Sequence, residues 1–294
     1  MHFTGTIWRP PYEAYSALVQ VTAGCTHHKC KFCTLYEDLP FKFRMSPLTE
    51  VEEDMKELGR YSHNARRVFF TGANPFVLKF ETLKELANLV KKYFPNAESI
   101  GCFARITDVT AKTMEQLQEL RKLGYNHITI GVEAGDDEAL SFMRKGFGTS
   151  QILTETKRLD AVGMDYNFFY LTGIYGAGHG ETGAQKTAEI FNQTHPKIIV
   201  TSMLTIYQTS ELYKEIEKGN WMEESELEKL CELKTLIQNL DIPTYLATMG
   251  ASNCIFVEGS LPGDKNKMVK LLEEVIGSAD EKELRQYREN LPHL

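Results

Sequence analysis

Residues Ala17–Cys33 read ALVQVTAGCTHHKCKFC. The short run Ala17–Thr22 predicts a β-strand, and the stretch Gly24–Cys33 that follows places three cysteines and two histidines in one loop. A strand that opens directly into a sulfur-rich loop sets the question of what kind of sheet carries it. Five further strand candidates follow along the chain: Arg67–Thr71, Ser99–Ile106, Asn126–Val132, Tyr166–Leu171 and Lys197–Leu204. Amphipathic stretches lie between them, near residues 47–60, 80–93, 111–122, 137–144 with 150–162, and 181–194. Ser46-Pro47 reads as a cap followed by a first-turn proline, and Asp108 or Thr110 as a cap for the third helix. Strands that each precede a helix predict an α/β fold with a parallel sheet and right-handed crossovers. Six such units fall two short of a complete (βα)8 barrel, so the expectation is a partial (βα)6 TIM-like barrel. An open doubly wound sheet is the competing architecture.

Beyond residue 205 the pattern turns helical. Ser225-Glu226-Leu227-Glu228 has capping-box spacing ahead of a long amphipathic helix. A short strand near Cys254–Val257 and a charged pair of helices are expected to follow. No linker rich in Pro, Gly or Ser interrupts the chain. The expected organisation is an irregular segment over 1–14, a core over 15–205, and a mostly helical extension over 206–294 packed on that core.

Composition narrows the function classes. The chain has 294 residues, 42% of them hydrophobic and 25% charged, with a formal net charge of −7. An acidic chain without a basic stripe argues against generic nucleic-acid binding. No apolar run is long enough to span a bilayer, and MHFTGTIWRPPYEAY lacks the apolar core of a signal peptide. A cytoplasmic protein is expected. Six cysteines, three of them crowded together, do not make a secreted disulfide framework at this size.

In a βα architecture the loops at the C-terminal strand ends carry the chemistry, and the cysteine loop is one of them. A closed zinc site needs four ligands, and either His27 or His28 would have to complete the set from inside the chelate loop. A catalytic thiol needs one activated cysteine and a base, not three sulfurs. Ferredoxin-type iron–sulfur clusters normally take four cysteines, so three thiolates leave one iron open to an external ligand. Cys25, Cys30 and Cys33 are therefore the metal candidates, while Cys102, Cys231 and Cys254 lack chelate spacing and read as core thiols.

These residues resemble the radical S-adenosylmethionine (SAM) enzymes, over about residues 15–205. The resemblance implies a [4Fe–4S] cluster on Cys25, Cys30 and Cys33 whose open iron is chelated by SAM. It also implies reductive cleavage to a 5′-deoxyadenosyl radical and an oxygen-sensitive enzyme supplied with electrons by a flavodoxin or ferredoxin. By similarity Phe32 packs near the adenine. Gly72-Ala73-Asn74-Pro75 stands where the family has a GGEP turn, keeping the turn but not the acidic side chain. GVEAGDDEALSFMRKG looks like the coproporphyrinogen-dehydrogenase and Elp3 branch, with Glu133 meeting SAM and Lys145 or Arg144 holding its carboxylate. Gly173-Ile174-Tyr175-Gly176 resembles the glycine motif that sets Ile174 against the adenine. One departure is plain: the common spacing is CxxxCxxC, and here four residues separate Cys25 from Cys30, so the loop must bulge through Thr26–Lys29. His27 and His28 are expected to be solvated.

Strand parity places Gln20, Thr22, His127 and Glu133 on inward faces, with Gly101, Phe103 and Arg105 on the third strand. Arg105 is then a candidate clamp for an anionic group of SAM or substrate, or else a partner of an acidic helix residue. Three other readings compete. Gly178–Gly183 matches GxGxxG, but no acidic residue follows at ribose spacing. The same cluster and SAM could serve a tetrapyrrole carrier without turnover, or an RNA-modifying enzyme. A small-molecule substrate fits the acidic chain better than a nucleic acid, and its identity cannot be read from these residues.

Overall fold

A computed structural model describes residues 1–290. In chain order the elements are β1 Ala17–Gln20, β2 Thr22–Gly24, β3 Phe43–Met45, α1 Leu48–Tyr61, β4 Arg67–Thr71, α2 Phe80–Tyr93, β5 Ser99–Ala104, α3 Ile106–Thr110, α4 Met114–Lys122 and β6 Ile128–Glu133. They continue with α5 Asp137–Phe142, α6 Thr149–Ala161, β7 Tyr166–Thr172, α7 Gly180–Phe191, β8 Ile198–Met203, α8 Glu211–Glu217, α9 Glu226–Asn239, β9 Thr244–Ala247, β10 Glu258–Leu261, α10 Lys265–Ser278 and α11 Glu281–Glu289. The fold is α/β with a mostly parallel eight-stranded sheet, consistent with the expected partial barrel. The chain forms two compact units: Met1–His28 with Leu35–Gly131 and Lys157–Tyr166, and Lys29–Thr34 with Val132–Thr156 and the residues from Asn167 onward.

In the first unit β1, β4, β5 and the start of β6 lie side by side and parallel, with Gln20 opposite Thr71, Phe69 opposite Gly101, and Phe103 opposite Thr129. The alternate residues Val19, Val68, Phe70, Ile100, Cys102 and Ile130 are buried, as are Val51 and Met55 of α1 and Leu83, Leu86 and Val90 of α2. Helix-facing strand positions are thus aliphatic or aromatic because that face is the dry one. The other face is polar in part, and the N-terminal segment runs along it. Thr4 and Gln20 exchange two hydrogen bonds, Thr71 Oγ1 donates to Trp8 O, Tyr12 meets Thr129 at 2.7 Å, and Arg67 is paired with buried Glu13. Gln20 is therefore satisfied by backbone, not left facing a cavity. His127 precedes β6 with φ +51 and lies 3.7 Å from Asp165, at the opposite strand end from the loops.

In the second unit β7, β8 and β9 are parallel and β10 closes the set antiparallel to β9. The six expected strands are β1 and β4 to β8, and β9 and β10 add two in the region expected to be mostly helical. The expected strand at 254–257 is a loop instead, because the Thr248 hydroxyl accepts the Val257 N–H and donates to Ile255 O, replacing ladder partners. Two caps also differ. Pro47, not Ser46, precedes α1 and supplies no side-chain cap, while Thr113 caps α4 in a capping box with Gln116. The capping box at Ser225 and Glu228 heads α9 as expected.

Candidate functional site

The cysteine loop is tied off at its base. β2 and β3 pair antiparallel, Thr22 with Met45 and Gly24 with Phe43, and the Cys25 N–H donates to Lys42 O at 2.8 Å. Gly24 has φ +77, and a Cβ there would lie 2.2 Å from Lys42 O, so only glycine closes this neck. His28 adopts φ +46, a left-handed turn at a non-glycine residue within Thr26–Lys29, where the extra residue was expected to bulge. Cys25 belongs to the first unit, Cys30 and Cys33 to the second.

On the first unit's side the loop is held from beneath. Asn74 is fully buried; its Nδ2 donates to Thr26 Oγ1 at 2.8 Å and to both Asp108 carboxylate oxygens at 3.1 and 3.2 Å. Asp108 also accepts the Arg105 N–H at 2.8 Å at the start of α3. Burial pushes the Asp108 carboxyl up to about 6 despite those hydrogen bonds, and lowers the Lys112 ammonium, which donates to Phe76 O at 2.9 Å. Asn74 thus fastens the cysteine loop to α3. Gly72, at φ +127, packs so closely that a Cβ would lie 2.0 Å from Thr22 Oγ1. That hydroxyl is buried and has no hydrogen-bond partner. Ala73 is half-buried between these two residues. Arg105 Nη1 donates to Thr107 Oγ1 at 3.0 Å, close to its own helix start.

In the second unit the Cys30–Cys33 stretch is a turn, with the Cys33 N–H donating to Cys30 O at 3.2 Å. Lys31 nails it down: its N–H reaches Met143 O, its carbonyl accepts Leu212 N–H, and its Nζ lies 3.7 Å from the Phe142 ring centroid and 3.6 Å from Glu215. Sequence reading passed over Lys31, because a lysine between two cysteines looks like a solvated loop residue. Lys145 is buried, 3.2 Å from Glu133, with Nζ 5.7 Å from the Phe32 ring centroid. Of the two basic candidates, the structure brings Lys145 to Glu133 and Phe32 and leaves Arg144 exposed. Glu133 at φ +68 and Arg144 at φ +56 both occupy left-handed backbone, a strained geometry that gathers at functional sites. Gly173, φ +90, leads into fully buried Ile174. Two of the GxGxxG glycines answer to packing, since a Cβ at Gly180 would meet Glu224 at 2.7 Å and one at Gly183 the Tyr175 ring at 2.4 Å, while Gly178 answers to its backbone at φ +79.

A match to the Radical SAM superfamily model covers residues 19–189, more than half of the chain. The chain belongs to the radical SAM superfamily. Membership implies a [4Fe–4S] cluster and SAM. A tRNA-2-methylthio-N(6)-dimethylallyladenosine synthase of Methylacidiphilum infernorum (isolate V4) is 25% identical over 157 residues, 49% of this chain and 32% of that protein. The chain therefore spans about a third of that relative's length. Among solved structures, the radical SAM methyltransferase TsrM from Kitasatospora setae superposes with TM-score 0.57 at 14% identity, covering 69% of this chain and 39% of that one. Coproporphyrinogen III oxidase (HemN) from Escherichia coli gives 0.56 at 15%, covering 76% and 51%. At such identities the likeness is one of fold.

The donor set fits the implied cluster. All six cysteines are thiols, none of them in a disulfide, and Cys25, Cys30 and Cys33 are each half-buried. Cys102 is fully buried with its thiol pushed well up by desolvation, and Cys254, raised to about 11, lies 3.7 Å from Met203 Sδ. Those two are packing thiols, as their lack of spacing predicted. Among the described residues no three His, Cys, Asp or Glu side chains are gathered as ligands of one metal ion, and a four-iron cluster spreads its thiolates over separate corners. No helix among the described residues is long and apolar enough to cross a membrane.

Proposed function

We propose that the chain is a radical SAM enzyme in which Cys25, Cys30 and Cys33 hold the [4Fe–4S] cluster and leave one iron for SAM. When bound, cluster and SAM supply one-electron cleavage of the sulfonium to a 5′-deoxyadenosyl radical, which removes a hydrogen atom from substrate. The observation that carries this reading is the set of three thiols in the loop leaving the first parallel strand, within a chain of this family. The Gly72–Asn74 turn offers backbone carbonyls to the methionine amino group. Lys145, with Glu133 beside it, suits the methionine carboxylate better than exposed Arg144, and Phe32 and Ile174 supply apolar surface for the adenine. Arg105 is our candidate to meet an anionic group of SAM or substrate. A flavodoxin or ferredoxin provides the electron, and a small molecule is the expected substrate. The coproporphyrinogen-dehydrogenase and Elp3 side of the family remains our placement, on the GVEAGDDEALSFMRKG segment.

Anaerobic reconstitution with iron and sulfide, followed by electron paramagnetic resonance with and without SAM, tests the assignment. Cys30→Ala should abolish the SAM-dependent change and Cys231→Ala should leave it. A Cys30→Ala protein that keeps the change would remove Cys30 from the ligand set. An RNA substrate is the second reading, favoured by the tRNA-modifying name of the relative 25% identical to part of this chain. The net charge of −7 weighs against it, and absence of salt-dependent tRNA binding would end it.

A further inference from the structure

The turn that leaves β7, Gly173–Gly178, is held by α9 and the segment just before it, and through Tyr175 by Thr187 of α7. Glu232 Oε2 accepts the Gly173 N–H at 2.8 Å, while its other oxygen accepts the Tyr170 hydroxyl. Glu228 Oε1 accepts the Gly178 N–H at 3.0 Å, and the Ala177 N–H reaches Met222 O at 2.9 Å. Gly173 lies on the stem of Lys229, where a Cβ would meet Cε at 2.9 Å.

Glu226, Lys229 and Glu232 are fully buried on this helix, and so is Glu224 just before it. Their charges are not all paired alike. Lys229 Nζ is 2.7 Å from Glu223 and 3.3 Å from Glu226, and Arg285 and Arg288 reach the same two carboxylates at 2.8 and 3.1 Å. Glu224 and Glu232 have no cation of their own among the described residues. The two buried carboxyls interact, and neither Glu224 oxygen makes a hydrogen bond in the structure. Two buried carboxyl groups that repel each other are not both ionised, since burial penalises a second charge. Burial accordingly raises both, that of Glu224 to about 7. Glu232 is thus an acceptor with two committed donors and a fixed place, which no solvated loop residue could offer.

We propose that Glu232 is a positioning residue for SAM: by fixing the Gly173–Gly178 turn from the C-terminal helix α9, it sets how firmly Ile174 is presented to the adenosyl half of the molecule. This rests on the reading above that Ile174 stands against the adenine. Glutamine at this position keeps one acceptor and loses the other, whereas leucine loses both.

The test measures SAM dissociation constants on the reconstituted protein, together with hydrogen–deuterium exchange of the 170–180 backbone. Glu232→Leu should weaken SAM binding about tenfold, as expected for loss of a buried hydrogen-bond acceptor, and Glu232→Gln about threefold. The KM for SAM in 5′-deoxyadenosine formation should rise with the dissociation constant while kcat stays near that of the parent. Amides of Gly173 and Gly178 should exchange faster in both variants, with iron and sulfide content unchanged. If the parent binds SAM and Glu232→Leu binds it equally well, the positioning role is wrong and the proposed function stands. If the parent shows no SAM effect, that function fails, and unchanged Gly173 exchange in the leucine variant still overturns the anchoring itself. Should Glu232→Leu not fold, parent-like affinity and exchange in Glu232→Gln are enough to reject the proposal.

Discussion

Asp108 is where the loop chemistry and the stability of the chain meet in one side chain. Its carboxyl is buried, and its pKa rises from an ordinary 3.8 to about 6, so the folded state binds a proton that the unfolded state has already released. The stability it contributes is fully present below pH 4 and is lost as pH rises towards 6. The shift corresponds to about 3 kcal/mol. Denaturant unfolding should therefore show the parent losing about 3 kcal/mol more than Asp108→Asn between pH 3 and pH 7; parallel profiles would mean the carboxyl is ionised in the fold. At Lys145, substitution by Met strands Glu133 without its partner at 3.2 Å, whereas Arg144 is exposed. Lys145→Met should cost about 2 kcal/mol and Arg144→Ala less than about 0.5 kcal/mol, read from unfolding midpoints. Cys25, Cys30 and Cys33 were legible as a set because spacing alone marks them. Asn74 was legible only as a departure from the family turn. Its bonds to Thr26 and Asp108 join residues far apart in sequence, which no local pattern encodes.

Among the elements, the strands were easier to find than the turns that end them. β4 occupies the range expected from RVFFT, and β5, β6, β7 and β8 lie within one or two residues of theirs, since a dry sheet face demands runs of large apolar side chains. β9 and β10 escaped notice because TYLA and EGSL are too short and mixed to show a period, and their place is set by neighbours. Ser46 and Thr113 make the same point about caps: whichever hydroxyl reaches the free N–H takes the role, and composition does not choose between them. The Gly72 turn carries a sharper expectation. With φ +127 and Thr22 Oγ1 only 2.0 Å from where an alanine methyl would stand, Gly72→Ala must shift β2 against the turn. It should cost at least about 2 kcal/mol in unfolding free energy. A thermal midpoint equal to the parent's would show that the strand end yields freely.

For the molecule as a whole, the α/β class and the parallel strand succession could be read from the sequence, while the ties made by the C-terminal helices could not. Glu281 accepts the Glu226 and Leu227 N–H groups at 2.9 Å, and Arg285 and Arg288 pair with Glu223 and Glu226, all across a long sequence separation. Ending the chain at Asp280 removes these partners and leaves Glu226 buried with Lys229 alone. The shortened protein should lose about 3–5 kcal/mol, measured by denaturant unfolding. If stability is unchanged, α11 is a surface appendage. β10 has one further consequence. Among the described residues its ladder partner is β9 alone, its outward residues are Glu258 and Ser260, and Pro262 follows directly. A charge and a missing N–H donor at this border discourage recruitment of a stray strand from another molecule, so the second unit carries its own guard against aggregation.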